Sequence, residues 1–289
     1  MNQIKFGRAW IDALPAELTS HGRGLSGLLA HCEATPAILS LLVGCSVGRG
    51  AADEFSDLDL AIGVRAARGA QGAGPVRAVE QATADFLPQL GNLIDTLRQE
   101  TAREEFFVRT VFAQYDDGLQ LDLAVVADSE IRTGDAAPDF VELYRAAEQT
   151  DPTWHPSALH ATNDQLSEWV FLGWRALLDA DKYLRRRSLW EAHARLHQAR
   201  DNIWRLWAAG HGALYPWHGL SQVLDHDSEM LPPGIQGTVA GLDHDELRRA
   251  LLATADVLER ATESAEVSAG VSVRSPIAGY ARRRLAAST

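Results

Sequence analysis

Residues 44 to 59 read Gly44-Cys45-Ser46-Val47-Gly48-Arg49-Gly50, then Ala51-Ala52-Asp53-Glu54-Phe55, then Ser56-Asp57-Leu58-Asp59. Side chains alternate across a strand, so Asp57 and Asp59 share one face while Leu58 and Leu60 take the other. Two adjacent carboxylates repel each other unless a cation lies between them. Hard divalent ions such as Mg²⁺ take oxygen ligands, commonly one or two carboxylates completed by substrate phosphates. A turn of small residues upstream lets backbone N–H groups approach and cradle such phosphates. Turn and carboxylate pair together point to phosphoryl or nucleotidyl transfer. A third acid has the same character: in Leu119 to Val125 the leucines face one way, and Gln120 and Asp122 face the other.

These residues need elements to hold them. A helical stretch from about Ala9 to Glu33 leads into the apolar run Ala37 to Val43, which reads as a strand. The Gly44–Gly50 turn follows, then a second strand from Ser56 to Val64. Arg65 to Pro75, rich in Gly and Ala, reads as a loop. Val76 to Leu97 has helical spacing through Val79, Ala82, Phe86 and Leu90. Phe106 to Tyr115 and Leu119 to Val126 flank Asp116-Asp117-Gly118 as a hairpin. This order describes a compact α/β domain. Ala136-Ala137-Pro138 and Asp151-Pro152-Thr153 then bracket a linker expected to hold one short helix.

Beyond the linker the pattern is helical. Asp164 to Arg186 and Leu189 to Ala209 read as long antiparallel helices, the second opened by a Ser188/Glu191 capping box. A third runs from about Asp245 to Glu263, and Pro276 to Ala286 reads as a fourth. The expected organisation is therefore a mixed-sheet α/β (α+β) domain, residues 1–135, followed by an all-α helical bundle, residues 136–289. Seven of the eight tryptophans fall between residues 154 and 217. Most are expected in the core of the bundle, with one or two lining a substrate cleft.

Bulk properties bound the function. A chain of 289 residues with 46% hydrophobic content can build two cores. No run approaches the roughly 18 apolar residues that would cross a bilayer. The start of the chain lacks the charged-then-apolar layout of a secretory signal, and only Cys32 and Cys45 occur, too few for a disulfide framework. The expectation is a cytoplasmic protein without membrane contact. Net charge is −12, and the dense basic runs are confined to Arg185–Arg187 and Arg282–Arg284. That balance argues against nucleic acid as a partner and suits a small polycationic substrate.

The first domain resembles the nucleotidyltransferase superfamily that includes DNA polymerase β and the small-molecule, aminoglycoside-type antibiotic nucleotidyltransferases. The family pattern is an apolar strand, Gly-Ser, a short turn often ending Arg-Gly, Asp-x-Asp on the next strand and a third Asp on a later one. Here Leu41-Leu42-Val43 leads to Gly44-Cys45-Ser46, Arg49-Gly50 and Ser56-Asp57-Leu58-Asp59-Leu60, with Asp122 as the third acid. The likeness covers about residues 37 to 127. Cys45 departs from the glycine of many members and fits readily if its φ is negative. The resemblance implies that Asp57 and Asp59 hold one or two Mg²⁺ ions, and that Asp122 shares the metal or accepts the proton of the attacking hydroxyl. Gly44, Ser46 and neighbouring amides would bind the β- and γ-phosphates with help from Arg49. Lys182, late in the first long helix, stands where several relatives place a lysine that reaches the triphosphate.

Other patterns are weaker. Lys182 is equally well read as a cation favoured by a helix C-terminus. Glu191 is explained by its cap, while Glu168, Asp179 and Asp181 are further general-base candidates. Gly22-Arg23-Gly24-Leu25-Ser26-Gly27 fits Gly-x-Gly-x-x-Gly, but no strand precedes it and no suitable acid follows, so a dinucleotide site is rejected. Leu-Asp-His-Asp at 224–227 and 242–245 reads as capping by Asp243 or Asp245 rather than a His226/His244 metal site. Arg187 and His193 match the Arg-x-His spacing of some helical RNases only weakly.

The leading expectation is Mg²⁺-dependent transfer of AMP from ATP, or of another NTP's monophosphate, to a hydroxyl of a small cationic acceptor held between the domains. The alternatives are a protein-adenylylating enzyme of toxin–antitoxin type and a non-catalytic nucleotide-binding regulatory module.

Overall fold

The structure is a computed structural model that describes residues 7–103, 106–132, 140–147, 159–226 and 230–287. The chain divides into two units, Met1–Pro156 and Ser157–Thr289.

In the first unit the apolar run Ile38–Val43 forms β1, buried along its whole length. Leu58–Val64 forms β2, in which Leu58, Leu60 and Ile62 are buried and Asp59 and Ala61 are half-buried. Between them the expected turn closes into a short helix, α3, Cys45–Arg49 (numbered after α1 and α2, below). The hairpin is present as β4, Phe106–Tyr115, and β5, Gln120–Ala127. Two further strands complete a six-stranded sheet. β3, Leu93–Arg103, pairs antiparallel with β4, and β6, Val141–Arg145, pairs antiparallel with β1. The order across the sheet is β3-β4-β5-β2-β1-β6, and β2 and β5 are its parallel pair.

Three expectations change here. The N-terminal helical stretch is broken into α1, Arg8–Ile11, and α2, Thr19–Ala34, around Pro15, whose extended backbone and missing N–H interrupt helix geometry. The helix expected from Val76 to Leu97 is shorter: α4 spans Ala73–Phe86, a 3₁₀ turn follows, and Leu93 to Leu97 belong to β3. The segment expected to hold a short helix in the linker carries β6, so the sheet reaches past residue 135 and the first unit continues to Pro156. A short helix, α5, Asp128–Arg132, follows β5 directly.

Helix α2 lies on the sheet through Leu25, Leu28 and Leu29, all within the core. The rejected glycine motif lies inside this helix. A Cβ at Gly27 would come within 2.3 Å of Leu90 Cδ2, and one at Gly24 within 3.4 Å of Leu58 Cδ1. Gly24 serves close packing of the helix on β2, and Gly27 close packing against the end of α4 and the 3₁₀ turn after it. On the other flank α4 is tied to β3 and β4 by ion pairs. Glu80, 1% exposed, accepts from Arg98 at 2.5 Å and Arg109 at 3.2 Å, and Arg77 meets Glu100 at 2.8 Å.

The second unit is helical: α6, Asn163–Arg185; α7, Leu189–Gly210; α8, Leu220–His226; α9, His244–Ala269; and α10, Pro276–Ala286. Its core joins Trp174, Leu177, Ile203, Leu206, Leu251 and Leu258 from α6, α7 and α9. Helix α6 opens with a capping box from Thr162 and Gln165, and Asp243 caps α9 by accepting from the amides of Asp245 and Glu246. The Ser188/Glu191 box is not formed. The Ser188 hydroxyl donates to the Glu191 carboxylate, leaving the backbone uncapped by that side chain. Trp169 and Trp174 are buried and Trp190 is 74% exposed, while Trp154 lies outside the described residues. No helix among the described residues is long and apolar enough to cross a membrane.

Candidate active site

The parallel ladder between β2 and β5 sets the acids. Leu58 pairs with Leu121, Asp59 with Asp122 and Leu60 with Leu123. Because alternation is the same on both strands, the leucines enter the core at 0–4% exposure and the two aspartates emerge side by side on the opposite face. Asp57 precedes β2 by one residue and keeps the phase of Asp59. One carboxylate oxygen from each of Asp57, Asp59 and Asp122 lies within 4.8 Å of the other two. All three residues are half-buried.

Burial, and then the neighbouring charges of Asp57 and Asp59, push the Asp122 carboxyl up to about 6. Carboxyl groups that share a partly desolvated space raise one another's pKa in this way. An all-oxygen donor set of three carboxylates fits a hard divalent ion, and the group is able to hold a metal.

The turn upstream is bound to the same strand. The Gly44 amide donates to the Asp59 carbonyl at 2.9 Å. A Cβ at Gly44 would sit 2.6 Å from Phe140 Cε1 and Cζ, so glycine is required by the ring packed against it. Ser46 and Arg49 follow within α3, both half-buried, and the Ser46 carbonyl accepts from the Ala51 amide at 2.9 Å. The condition under which Cys45 would fit readily, a negative φ, is not met. Its φ is +53°, in the left-handed region where glycine is at ease and other residues are strained.

The loop that delivers Asp57 is closed on itself. Asp53 Oδ1 accepts from the Phe55 amide at 3.1 Å and the Ser56 hydroxyl at 3.0 Å, and the Ser56 hydroxyl accepts from the Asp53 amide at 3.0 Å. Its outer end reaches α2, where His21 Nε2 donates to the Ser56 carbonyl at 2.6 Å. His21 and Phe140 were not singled out from sequence. Neither stands in a motif, and the partner of each is backbone or glycine distant along the chain.

The remaining candidates lie in the helical unit. Lys182 is ion-paired with Asp179 and stands 4.7 Å from the centroid of the Tyr183 ring. Glu191 bonds Ser188 and Glu168 is exposed. Asp181 is 1% exposed and held by Arg185 at 2.9 Å and Arg248 at 3.0 Å, a structural ion cluster. His244 is beside Asp245, whereas the side chain of His226 lies outside the described residues. Arg187, at φ +57°, makes the turn between α6 and α7.

Two solved structures are similar to the chain. An aminoglycoside 6-adenyltransferase from Bacillus subtilis is 13% identical over 92% of this chain and 97% of its own, with a TM-score of 0.40. A nucleotidyltransferase-like protein from Exiguobacterium sibiricum 255-15 is 12% identical over 86% of this chain and 77% of its own, with a TM-score of 0.36. No protein-family model and no curated protein matches the sequence. At such identities and scores the chemistry has to stand on the side chains themselves. They supply the order the resemblance implies: apolar strand, Gly44-Cys45-Ser46, strand with Asp57 and Asp59, later strand with Asp122.

Proposed function

We propose that this chain is a Mg²⁺-dependent nucleotidyltransferase that moves AMP from ATP onto a hydroxyl of a small, cationic, aminoglycoside-like acceptor. The observation that carries this reading is the convergence of Asp57, Asp59 and Asp122 to within 4.8 Å beside a glycine-serine turn.

When bound, the divalent ion would supply charge neutralisation for the triphosphate and polarise the α-phosphate. Asp57 and Asp59 would hold that ion. Gly44, Ser46 and the neighbouring amides would bind the β- and γ-phosphates, with Arg49 as a cation for the polyphosphate. The acceptor oxygen attacks the α-phosphorus, the bond from that phosphorus to the β-bridging oxygen breaks, and pyrophosphate leaves with the bond electrons. Asp122 either takes the proton from the acceptor hydroxyl or shares the ion. A carboxyl pushed up to about 6 is well placed for a base working near neutrality. The net charge of −12 supports a cationic acceptor, which the field of the protein would attract.

The test is ATP·Mg²⁺-dependent pyrophosphate release over a panel of hydroxyl acceptors that includes aminoglycosides, with Asp57→Asn as control. Release that needs an acceptor and disappears in the control is expected. Label from α-³²P-ATP appearing on a protein band instead would favour the protein-modifying alternative. Tight ATP·Mg²⁺ binding without turnover across the panel would favour a regulatory module.

A further inference from the structure

We infer that His21 is a positioning residue for the metal-ligand pair, acting through the backbone of Ser56 to fix Asp57. The inference rests on the metal-binding reading of the three aspartates.

The acids are not held equally. Asp59 and Asp122 lie within the β2–β5 ladder, whose register sets their places, and the Asp59 carbonyl is further tied to the Gly44 amide. Asp57 stands one residue before β2 and has no ladder partner of its own. Its approach is a turn closed internally by Asp53 and Ser56. A turn closed on itself fixes its own shape but not its place on the protein. Among the described residues, the side-chain hydrogen bond that joins this turn to the neighbouring α2 is His21 Nε2 to the Ser56 carbonyl, 2.6 Å long.

His21 is costly to keep for stability alone. It is 2% exposed, and its Nδ1 is buried without a hydrogen-bond partner among the described residues. A buried polar atom left unpaired costs more than one typical neutral hydrogen bond returns. Since the Ser56 carbonyl can only accept, Nε2 carries the proton, so the unpaired Nδ1 cannot be relieved by exchanging tautomers. An apolar residue would remove the unpaired Nδ1, but would take the donor from the Ser56 carbonyl and leave the end of the turn unanchored. Groups that orient metal ligands from behind typically change metal affinity about 10- to 100-fold when removed.

The experiment measures Mn²⁺ binding to the full chain by electron paramagnetic resonance, beside thermal unfolding, for wild type, His21→Leu and His21→Gln. Glutamine restores an N–H donor at nearly the reach of Nε2; leucine does not. His21→Leu is expected to bind Mn²⁺ about tenfold or more weakly while remaining folded, and His21→Gln to recover most of the loss. Folded His21→Leu with affinity within about twofold of wild type would overturn the proposal. If His21→Leu fails to fold, the ¹⁵N-labelled imidazole of wild type decides. Its Nε2–H resonance is expected to shift on Mg²⁺ addition and not to shift in Asp57→Asn, and an unmoved resonance overturns the proposal. Wild type that binds no Mn²⁺ would instead sink the metal-centre reading itself, so the two failures are distinct.

Discussion

Asp59 and Asp122 are direct partners in the parallel β2–β5 ladder, although 62 positions separate them in sequence. Their adjacency follows from register, not from loop conformation, so it is as rigid as the sheet. A one-residue slip of either strand would turn its aspartate into the core. The prediction concerns what this rigidity serves. Asp59→Asn and Asp122→Asn keep size and hydrogen-bonding capacity and remove one charge each. Both are expected to fold and to lose roughly a thousand-fold or more in nucleotidyl transfer, the several kcal/mol that metal-assisted charge stabilisation supplies. Pyrophosphate-release rates beside circular dichroism of the same samples check this.

The Asp122 shift makes stability depend on pH. Its ordinary value of 3.8 applies to the unfolded chain, and in the folded one it is pushed up to about 6. Between these values the folded state binds more protons than the unfolded, so stability falls as pH rises. The contribution is fully present below about 3.8 and is lost as pH passes through about 6. Without divalent metal, melting temperature attributable to this site should decline across that window, and Asp122→Asn should flatten the decline. Mg²⁺ is expected to reverse it, because deprotonated carboxylates bind the ion better. Thermal unfolding with EDTA and with excess Mg²⁺, at several pH values, reads both effects.

Much of this candidate site was legible in the sequence alone, for a physical reason. A half-buried strand has period two, and the leucines around Asp57, Asp59 and Asp122 display that period plainly. The hairpin and the long amphipathic helices α6, α7 and α9 were legible in the same way. β3 was not. Along Leu93–Arg103 nearly every residue is exposed or half-exposed, so no alternation marks this edge strand. Meanwhile Leu90, Leu93 and Leu97 continue a helical spacing that the 3₁₀ turn after Phe86 has already ended. His21 was illegible because what it does depends on a backbone carbonyl 35 residues away. The strain at Cys45 was illegible because sequence gives a residue's size but not its φ.

The strain at Cys45 can be tested. At φ +53° a residue with a Cβ costs about 1–2 kcal/mol over glycine, and a β-branched one more. Glycine gives back part of that gain through its larger loss of chain freedom, about 0.5–1 kcal/mol. Melting temperature should therefore rank Cys45→Gly at or above wild type and Cys45→Val clearly below it. A Cys45→Val protein as stable as wild type would contradict the left-handed geometry.

Gly44 and Phe140 should behave as a pair. A methyl group at Gly44 lands 2.6 Å from two ring carbons, so the ring or the turn must move. If the turn moves, it carries the amide bonded to the Asp59 carbonyl and the phosphate-binding residues with it. A displacement near 1 Å can cost roughly a hundred-fold in rate. Gly44→Ala is expected to fall in that range, and Phe140→Ala in the same chain to recover much of the loss by opening space. Kinetics of the two single variants and the double variant give the coupling directly.

In the helical unit Asp181 separates a structural acid from a catalytic one. Its carboxylate is 1% exposed and lies 2.9 Å from Arg185 on α6 and 3.0 Å from Arg248 on α9. Arg248 also donates to the Leu285 carbonyl of α10, so one acid ties three helices together. Removing Asp181 strands chiefly Arg248, 16% exposed, whereas Arg185, 46% exposed, can turn to water, so the cost is about 1–3 kcal/mol. Asp181→Ala should lose stability on that scale in chemical denaturation, yet keep the divalent-metal affinity of wild type when folded. Asp122→Ala should do the reverse: it relieves carboxylate repulsion and so costs little stability without metal, but it weakens metal binding. An Asp181→Ala variant that is fully stable and catalytically dead would return Asp181 to the list of candidate bases.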